Sequence, residues 1–135
     1  MRKILIFGIA FMVIIFLVWK NDNFQEWYQK KYYPNKYWSQ KVEEHKTAIK
    51  TYRSILIDLE IEGRKLLKTA KYDIYQDINS AKQLNIPMNE AKERAIRKIQ
   101  EKAKNLKKEA LMWKDFLNEE QKSLKKAKAQ LAKYQ

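Results

Sequence analysis

The 135-residue chain carries 29 basic and 16 acidic residues, a formal net charge of +13, which favours anionic partners such as lipid headgroups, nucleic acid or acidic proteins. Two glycines and two prolines are too few for the turns of a β-rich fold, so the composition predicts an all-α protein. The absence of cysteine excludes disulfides, thiolate metal sites and cysteine nucleophiles.

The chain opens with an apolar run at residues 4–19, which contains no charged side chain and lies between Lys3 and Lys20. As a helix this run rises ~24 Å, against ~30 Å for the hydrocarbon core of a bilayer. Trp19 and Lys20 suit the headgroup level and lengthen the effective span. The residues that follow are too large for a signal-peptide cleavage site. We therefore predict an uncleaved transmembrane anchor over residues 1–23, with a removed signal peptide as the alternative.

Basic residues flank this run on both sides, so the positive-inside rule is nearly balanced. The short amino tail with Arg2 and Lys3 is typical of a signal anchor, which keeps the amino terminus in the cytosol. We predict a single-pass protein of the cell membrane whose body lies on the periplasmic or extracytoplasmic side.

Residues 24–37 form an aromatic collar interleaved with lysines. Tyrosine, tryptophan and lysine so close to a membrane span indicate an interfacial belt that contacts anionic headgroups. Stacking of single-stranded nucleic acid and packing as ordinary core are the alternatives. Pro34 predicts an elbow at Pro34–Lys36 between anchor and body. The predicted membrane-interface residues are Trp19, Lys20, Phe24, Trp27, Tyr28, Tyr32 and Tyr33.

Residues 38–135 are predicted to form a long antiparallel helical hairpin of the coiled-coil type, with helices 38–84 and 87–134 joined by a turn at 85–87. Apolar residues recur at alternating steps of three and four along both helices. Asn85 suits the left-handed conformation that ends a helix, and Pro87 suits the first position of the next. The predicted packing seam comprises Val42, Ile49, Tyr52, Leu56, Leu59, Leu66, Ile96, Ile99, Leu106, Trp113, Leu117, Leu124 and Leu131.

A second apolar set lies off this seam on the first helix, at Ile55, Ile57, Ile61, Leu67 and Tyr75. A single hairpin would leave these side chains in water, so we expect a homo-oligomer, such as a four-helix bundle, or a helical protein partner.

Lysines concentrate on the second helix, mostly off the seam. They predict an anionic contact surface, and a merely solvated face is the alternative. The predicted basic face comprises Lys104, Lys107, Lys108, Lys122, Lys125, Lys126 and Lys128.

No residue pattern indicates catalysis, a cofactor, a metal or a small-molecule substrate. His45 is the single histidine and has no second histidine or converging carboxylate set. Neither a G-x-S-x-G elbow nor a phosphate-binding glycine loop occurs. We expect the protein not to be an enzyme.

The segment from Leu117 to Leu124, LNEEQKSL, resembles the LTxxQ motif of periplasmic stress and metal-resistance helical-hairpin proteins, with Asn118 in place of the threonine. That group includes soluble chaperones and anchored metal sensors, and the metal-binding histidines of the sensors have no counterpart here. The layout is also similar to that of phage inner-membrane spanins and membrane-anchored division coiled coils.

The sequence thus predicts a membrane-anchored coiled-coil structural or adaptor protein of the cell envelope, which mediates protein–protein contacts. A tethered periplasmic hairpin that acts as a sensor or as a chaperone-like binder of acidic or unfolded clients is the alternative. A nucleic-acid or anionic-lipid binder is a third hypothesis, which requires a cytosolic body, and nucleic acid is the least expected partner.

Overall fold

The computed structural model describes residues 13–135, whose regular structure is helical throughout. Residues 13–19 are helical, and three further helices follow: α1 (Asp22–Tyr32), α2 (Pro34–Gln83) and α3 (Met88–Leu131). The predicted all-α class is confirmed over this range.

The first helical segment ends at Trp19, where a turn at Lys20 leads into α1. The Lys20 amide donates to the Phe16 carbonyl at 3.0 Å. Asn21 then caps α1, because its side-chain Oδ1 accepts a hydrogen bond from the Asn23 amide at 3.0 Å. The chain therefore breaks its helix immediately after the apolar run.

The predicted single-pass membrane localisation is wrong on the residues that can be tested. Within residues 13–135, no helix combines the length and apolar character needed to cross a membrane. The break at Lys20–Asn21 ends the first helical segment at Trp19, so the apolar run does not continue as one helix into the aromatic collar. Residues 1–12, which hold the rest of the predicted anchor, lie outside the described residues.

A second break separates α1 from α2 at Tyr33, whose φ of −132° and ψ of 53° are not helical. Pro34 begins α2, so this helix starts four residues before the predicted Trp38. The elbow expected at Pro34–Lys36 is wrong, because a proline is well accommodated in the first turn of a helix. The joint lies one residue earlier, at Tyr33.

Helices α2 and α3 pack as a hairpin, as predicted. The ring centroids of Tyr52 and Trp113 lie 5.4 Å apart, and Lys98 Nζ lies 3.1 Å from a carboxylate oxygen of Asp77. Because later residues of α2 meet earlier residues of α3, the two helices run antiparallel.

The turn between α2 and α3 satisfies the last carbonyls of α2 through a Schellman motif. Asn85 is in the left-handed region with φ 56°, as its residue type predicts. The Ile86 amide donates to the Ala81 carbonyl at 3.0 Å, and the Asn85 amide donates to the Lys82 carbonyl at 3.2 Å. These bonds reverse the chain before α3 begins at Met88, one residue after the predicted start.

The chain divides into two compact units. The terminal unit comprises Met1–Lys46 and Lys122–Gln135, and the central unit comprises Thr47–Gln121. Among the described residues, Tyr37, Val42 and Ala127 are buried in the terminal unit. Those buried in the central unit are Ile49, Ala81, Ala91 and Ala95.

Within the predicted seam, Val42 and Ile49 are buried. Ile96 is exposed, and this position is a correction: the buried residues near the turn are Ala91 and Ala95. Next to the tight turn, small side chains form the contact between the two helices. The sequence pattern had instead predicted the larger neighbour, Ile96, at this contact. The half-buried seam residues are Tyr52, Leu56, Leu59, Leu66, Ile99, Leu106, Trp113, Leu117, Leu124 and Leu131.

Candidate functional site

Aromatic rings and lysines are interleaved in space as well as in sequence at the start of the terminal unit. The Tyr28 ring lies 4.8 Å from that of Tyr32, measured between centroids. Lys31 Nζ lies 5.0 Å from the Trp27 ring centroid, and Lys30 Nζ lies 5.4 Å from that of Trp38. These are cation–π distances, so the ammonium groups of two lysines of α1 lie against aromatic rings.

The two helix breaks fold part of this aromatic segment around a cavity of about 200 Å³. Gln25 Nε2 donates to the Trp19 carbonyl at 2.8 Å, which ties the end of the first helical segment to α1. Lys36 and Tyr37 reach the cavity from α2. The lining residues are Trp19, Phe24, Gln25, Tyr28, Gln29, Tyr33, Lys36 and Tyr37.

Tyr37 is the buried residue of this cavity, and it links α2 to α1. Its hydroxyl donates to Glu26 Oε1 at 2.5 Å. Burial, followed by the hydrogen bond and negative charge of Glu26, raises the pKa of Tyr37 to about 12. The hydroxyl therefore stays protonated and in its donor role at neutral pH.

The next turn of α2 carries an exposed ion pair. Lys41 Nζ lies 2.9 Å from Glu44 Oε2. The hydrogen bond with Glu44 raises the pKa of Lys41, and the same bond lowers the pKa of Glu44. Both groups are fully charged at neutral pH, and the pair has the modest strength of a solvated contact.

The structure brings together only part of the predicted membrane-interface set. Trp19, Phe24, Tyr28 and Tyr33 line the cavity, whereas Lys20, Trp27 and Tyr32 do not. Sequence reasoning missed the cavity residues Gln25, Gln29, Lys36 and Tyr37 as a group. Asparagine is a common helix N-cap, so the sequence contained a signal for the start of α1 at Asn21. The contact between Tyr37 and Glu26, in contrast, depends on the break at Tyr33.

The predicted basic-face lysines are all exposed, and the two units divide them. Lys104, Lys107 and Lys108 belong to the central unit, and Lys122, Lys125, Lys126 and Lys128 belong to the terminal unit. The central unit has 16 basic and 12 acidic residues, a net charge of +4. The terminal unit has 13 basic and 4 acidic residues, a net charge of +9. No acidic residue occurs in the sequence from Gln121 to Gln135.

The central unit exposes a line of apolar side chains on α2, which we call the outer stripe: Ile57, Ile61, Tyr72 and Tyr75. Their exposures range from 45% at Ile61 to 63% at Tyr72. Steps of four, eleven and three residues place them on one helical face, since eleven residues make about three turns.

A ring cluster on the same unit joins the two helices. Tyr52 lies 5.4 Å from Trp113 and 6.2 Å from Phe116, and Trp113 lies 5.6 Å from Phe116, measured between ring centroids. Phe116 remains 46% exposed beside the exposed Met112. The cluster thus packs the two helices together through Tyr52 and Trp113 and exposes apolar surface at Phe116.

Residues 13–135 contain no group of three or more histidine, cysteine, aspartate or glutamate residues placed to hold a metal ion. His45 is half-buried on α2.

Searches against known protein families, curated proteins and solved structures found no match to this chain.

Proposed function

We propose that the chain is a structural or adaptor protein, a helical hairpin that mediates protein–protein contacts through its central unit. The outer stripe carries this proposal. Its aliphatic and aromatic side chains form two exposed pairs on one face of α2, separated by Arg64 and Lys68, although burial in a contact would stabilise each by about 1.5–3 kcal/mol.

The thin core of the central unit supports the same conclusion. Three of its four buried apolar residues are alanines, whereas Ile57, Leu67, Tyr72 and Tyr75 are all more than half exposed. Alanine side chains bury little area, so the hairpin contact alone provides limited stabilisation. Packing of a further helix against the outer stripe would provide the missing burial.

A second copy of the chain is the partner that the charge distribution favours for this face. The central unit has a net charge of only +4, and its basic and acidic residues alternate closely enough to form pairs such as Arg64–Glu60 and Arg94–Glu90. Electrostatic repulsion between two central units is therefore weak, whereas two terminal units, each with a net charge of +9, would repel each other.

Sedimentation velocity of the purified full chain tests this proposal. The wild-type chain is expected to sediment as a dimer or larger species, and the double variant Ile61→Lys with Tyr72→Lys as a monomer, because two charges would be buried in the contact. The control variant Thr51→Lys with Ser80→Lys adds equal charge at exposed positions off the stripe and should still associate. A monomeric wild-type chain, or equal effects of both variants, would contradict the proposal.

A second candidate function is the capture of acidic proteins by the terminal unit. The observation that favours it is the acid-free end of the chain, where Lys125, Lys126 and Lys133 are exposed and no carboxylate side chain follows Glu120. Clustered lysines steer and hold acidic surfaces in a salt-dependent manner.

Calorimetric titration with poly-glutamate tests this second candidate. Reversal of Lys125, Lys126 and Lys133 to Glu is expected to abolish binding, whereas reversal of the exposed Lys104, Lys107 and Lys108 in the central unit should largely preserve it. Equal losses in the two triple variants, or tighter binding of single-stranded DNA than of poly-glutamate, would overturn the assignment to acidic proteins.

A further inference from the structure

We propose that the aromatic cavity of the terminal unit binds a small anion with a planar apolar body, of the aromatic carboxylate class. This site is separate from the outer stripe. The inference depends on the lining of the cavity, on its single cationic group and on its size.

The lining suits a flat apolar body. The Phe24 and Tyr28 rings are stacked, with centroids 6.4 Å apart and planes 28° from parallel. The Tyr33 ring lies 6.2 Å from Tyr28 in a tilted arrangement. An aromatic ligand gains offset-stacked or edge-to-face contacts on such walls in addition to the burial of its area. The two glutamine amides, on Gln25 and Gln29, add polar groups to an otherwise aromatic surface.

Two hydrogen bonds hold lining residues in place before any ligand enters. Gln25 Nε2 donates to the Trp19 carbonyl, and the Tyr37 hydroxyl donates to Glu26. Preorganised walls reduce the entropy cost of ordering side chains on binding.

Charge selects an anion over a cation. Aromatic walls alone attract cations, and a cluster of rings can recognise a quaternary ammonium group. Of the described residues that line this cavity, however, Lys36 is the one with a charged side chain. The Glu26 carboxylate is engaged by Tyr37 and is not among the lining residues. With Lys36 at the cavity and +9 on its unit, a carboxylate is attracted and an ammonium ion is repelled.

The volume limits the ligand to a single ring system. Sites for drug-sized molecules measure about 300–1,000 Å³, and this cavity measures about 200 Å³. Lys36, Trp19 and Tyr33 are exposed, so the charged end of the ligand stays near solvent while the ring enters.

Three ligands with the same ring and different charges test the inference: benzoate, benzamide and benzylammonium, each titrated into the full chain by calorimetry. Benzoate should bind most tightly and benzylammonium most weakly. Lys36→Gln should weaken benzoate about threefold to fivefold, as expected for a solvent-accessible ion pair, and leave benzamide unchanged. Lys50→Gln, an exposed lysine of α2 outside the cavity, is the matched control and should bind as the wild type does.

The ring walls need a test of their own. Tyr28→Ala should weaken benzoate and benzamide alike, and Tyr28→Leu should restore part of the loss if helix content by circular dichroism is unchanged in both. Equal affinity for the three ligands, no measurable benzoate binding, or an unaltered benzoate affinity in Lys36→Gln would overturn the proposal.

Discussion

The terminal and central units are built from segments of the same two long helices, yet different interactions hold each together. In the terminal unit, Tyr37 is buried against α1 with its hydroxyl on Glu26, and lysines lie over aromatic rings. In the central unit, the buried residues are Ile49 and three alanines, and large apolar side chains such as Tyr72 and Tyr75 are exposed. The seam pattern continues through both units, so the difference lies in the outer faces. The outer face of the central unit exposes large apolar side chains, and the terminal unit carries the larger share of the positive charge.

The largest expected effect comes from a charge placed in the alanine seam of the central unit. Ala95→Asp should lower the free energy of unfolding by about 3 kcal/mol, because Ala95 is 2% exposed and the carboxylate would lose its hydration there. Urea denaturation followed by circular dichroism measures the loss.

The matched control for that variant is Ala103→Asp, at an exposed position of the same helix. It should cost only the helix propensity difference, about 0.6 kcal/mol. Ala127→Asp makes the same substitution in the seam of the terminal unit, where Ala127 is 1% exposed, and should cost as much as Ala95→Asp. If Ala127→Asp were as mild as Ala103→Asp, the two units would not share one type of seam.

The hydroxyl of Tyr37 provides the next largest effect. Tyr37→Phe should destabilise the chain by about 1.5 kcal/mol, since it removes a hydrogen bond to a carboxylate. Tyr72→Phe, at an exposed ring of the central unit, should leave the stability of the monomer unchanged.

The same tyrosine predicts a pH dependence at the alkaline end. Because the folded pKa is raised from 10.0 to about 12, its contribution is complete below pH 10.0 and is lost as the pH rises toward about 12. Unfolding free energies measured across this range should fall more steeply in the wild type than in Tyr37→Phe. Parallel curves would show that the Tyr37–Glu26 contact does not stabilise the terminal unit.

The turn of the central unit predicts a smaller effect. Asn85→Ala should cost about 1 kcal/mol, because alanine is strained in the left-handed conformation that Asn85 adopts. Asn85→Gly is the control, and its thermal midpoint should equal or exceed that of the wild type. If Asn85→Ala had the same thermal midpoint as the wild type, the Schellman motif would not be needed for the chain reversal between α2 and α3.

The smallest expected effect is an increase in stability, on substitution of Gly63. A Cβ on Gly63 would meet no atom within 4 Å, and no glycine among the described residues has a positive φ. Gly63→Ala should therefore raise the free energy of unfolding by about 0.5–1 kcal/mol. A loss of stability, detected by urea denaturation at a protein concentration that favours association, would locate a second copy against Gly63 instead of the outer stripe.

Local rules predicted the parts of the fold that depend on local chemistry. Residue type alone placed Asn85 in its left-handed conformation, and the alternating apolar steps placed Val42 and Ile49 at buried positions. The same pattern failed at Ile96, because the tight turn brings the helices together at Ala91 and Ala95 and makes small size more important than hydrophobicity there.

The candidate cavity was beyond such rules, because it depends on two breaks that act together. The sequence pattern predicted residues 1–23 as a membrane anchor and residues 24–37 as an interfacial collar. The Asn21 cap and the non-helical Tyr33 instead turn α1 back so that Trp19, Phe24 and Tyr37 line one space. A pattern along the chain predicts which face of a helix is apolar, and it does not predict which other segment covers that face.

Association through the outer stripe is the central claim, and pulsed dipolar electron resonance on a single spin label tests it most directly. The sequence has no cysteine, so a label on Gln76→Cys, exposed beside the stripe, reports only distances between copies. The account predicts a defined distance in the otherwise wild-type chain, and its loss when Ile61→Lys and Tyr72→Lys are added. An unmodulated background decay in the first protein, or an unchanged distance in the second, would contradict it.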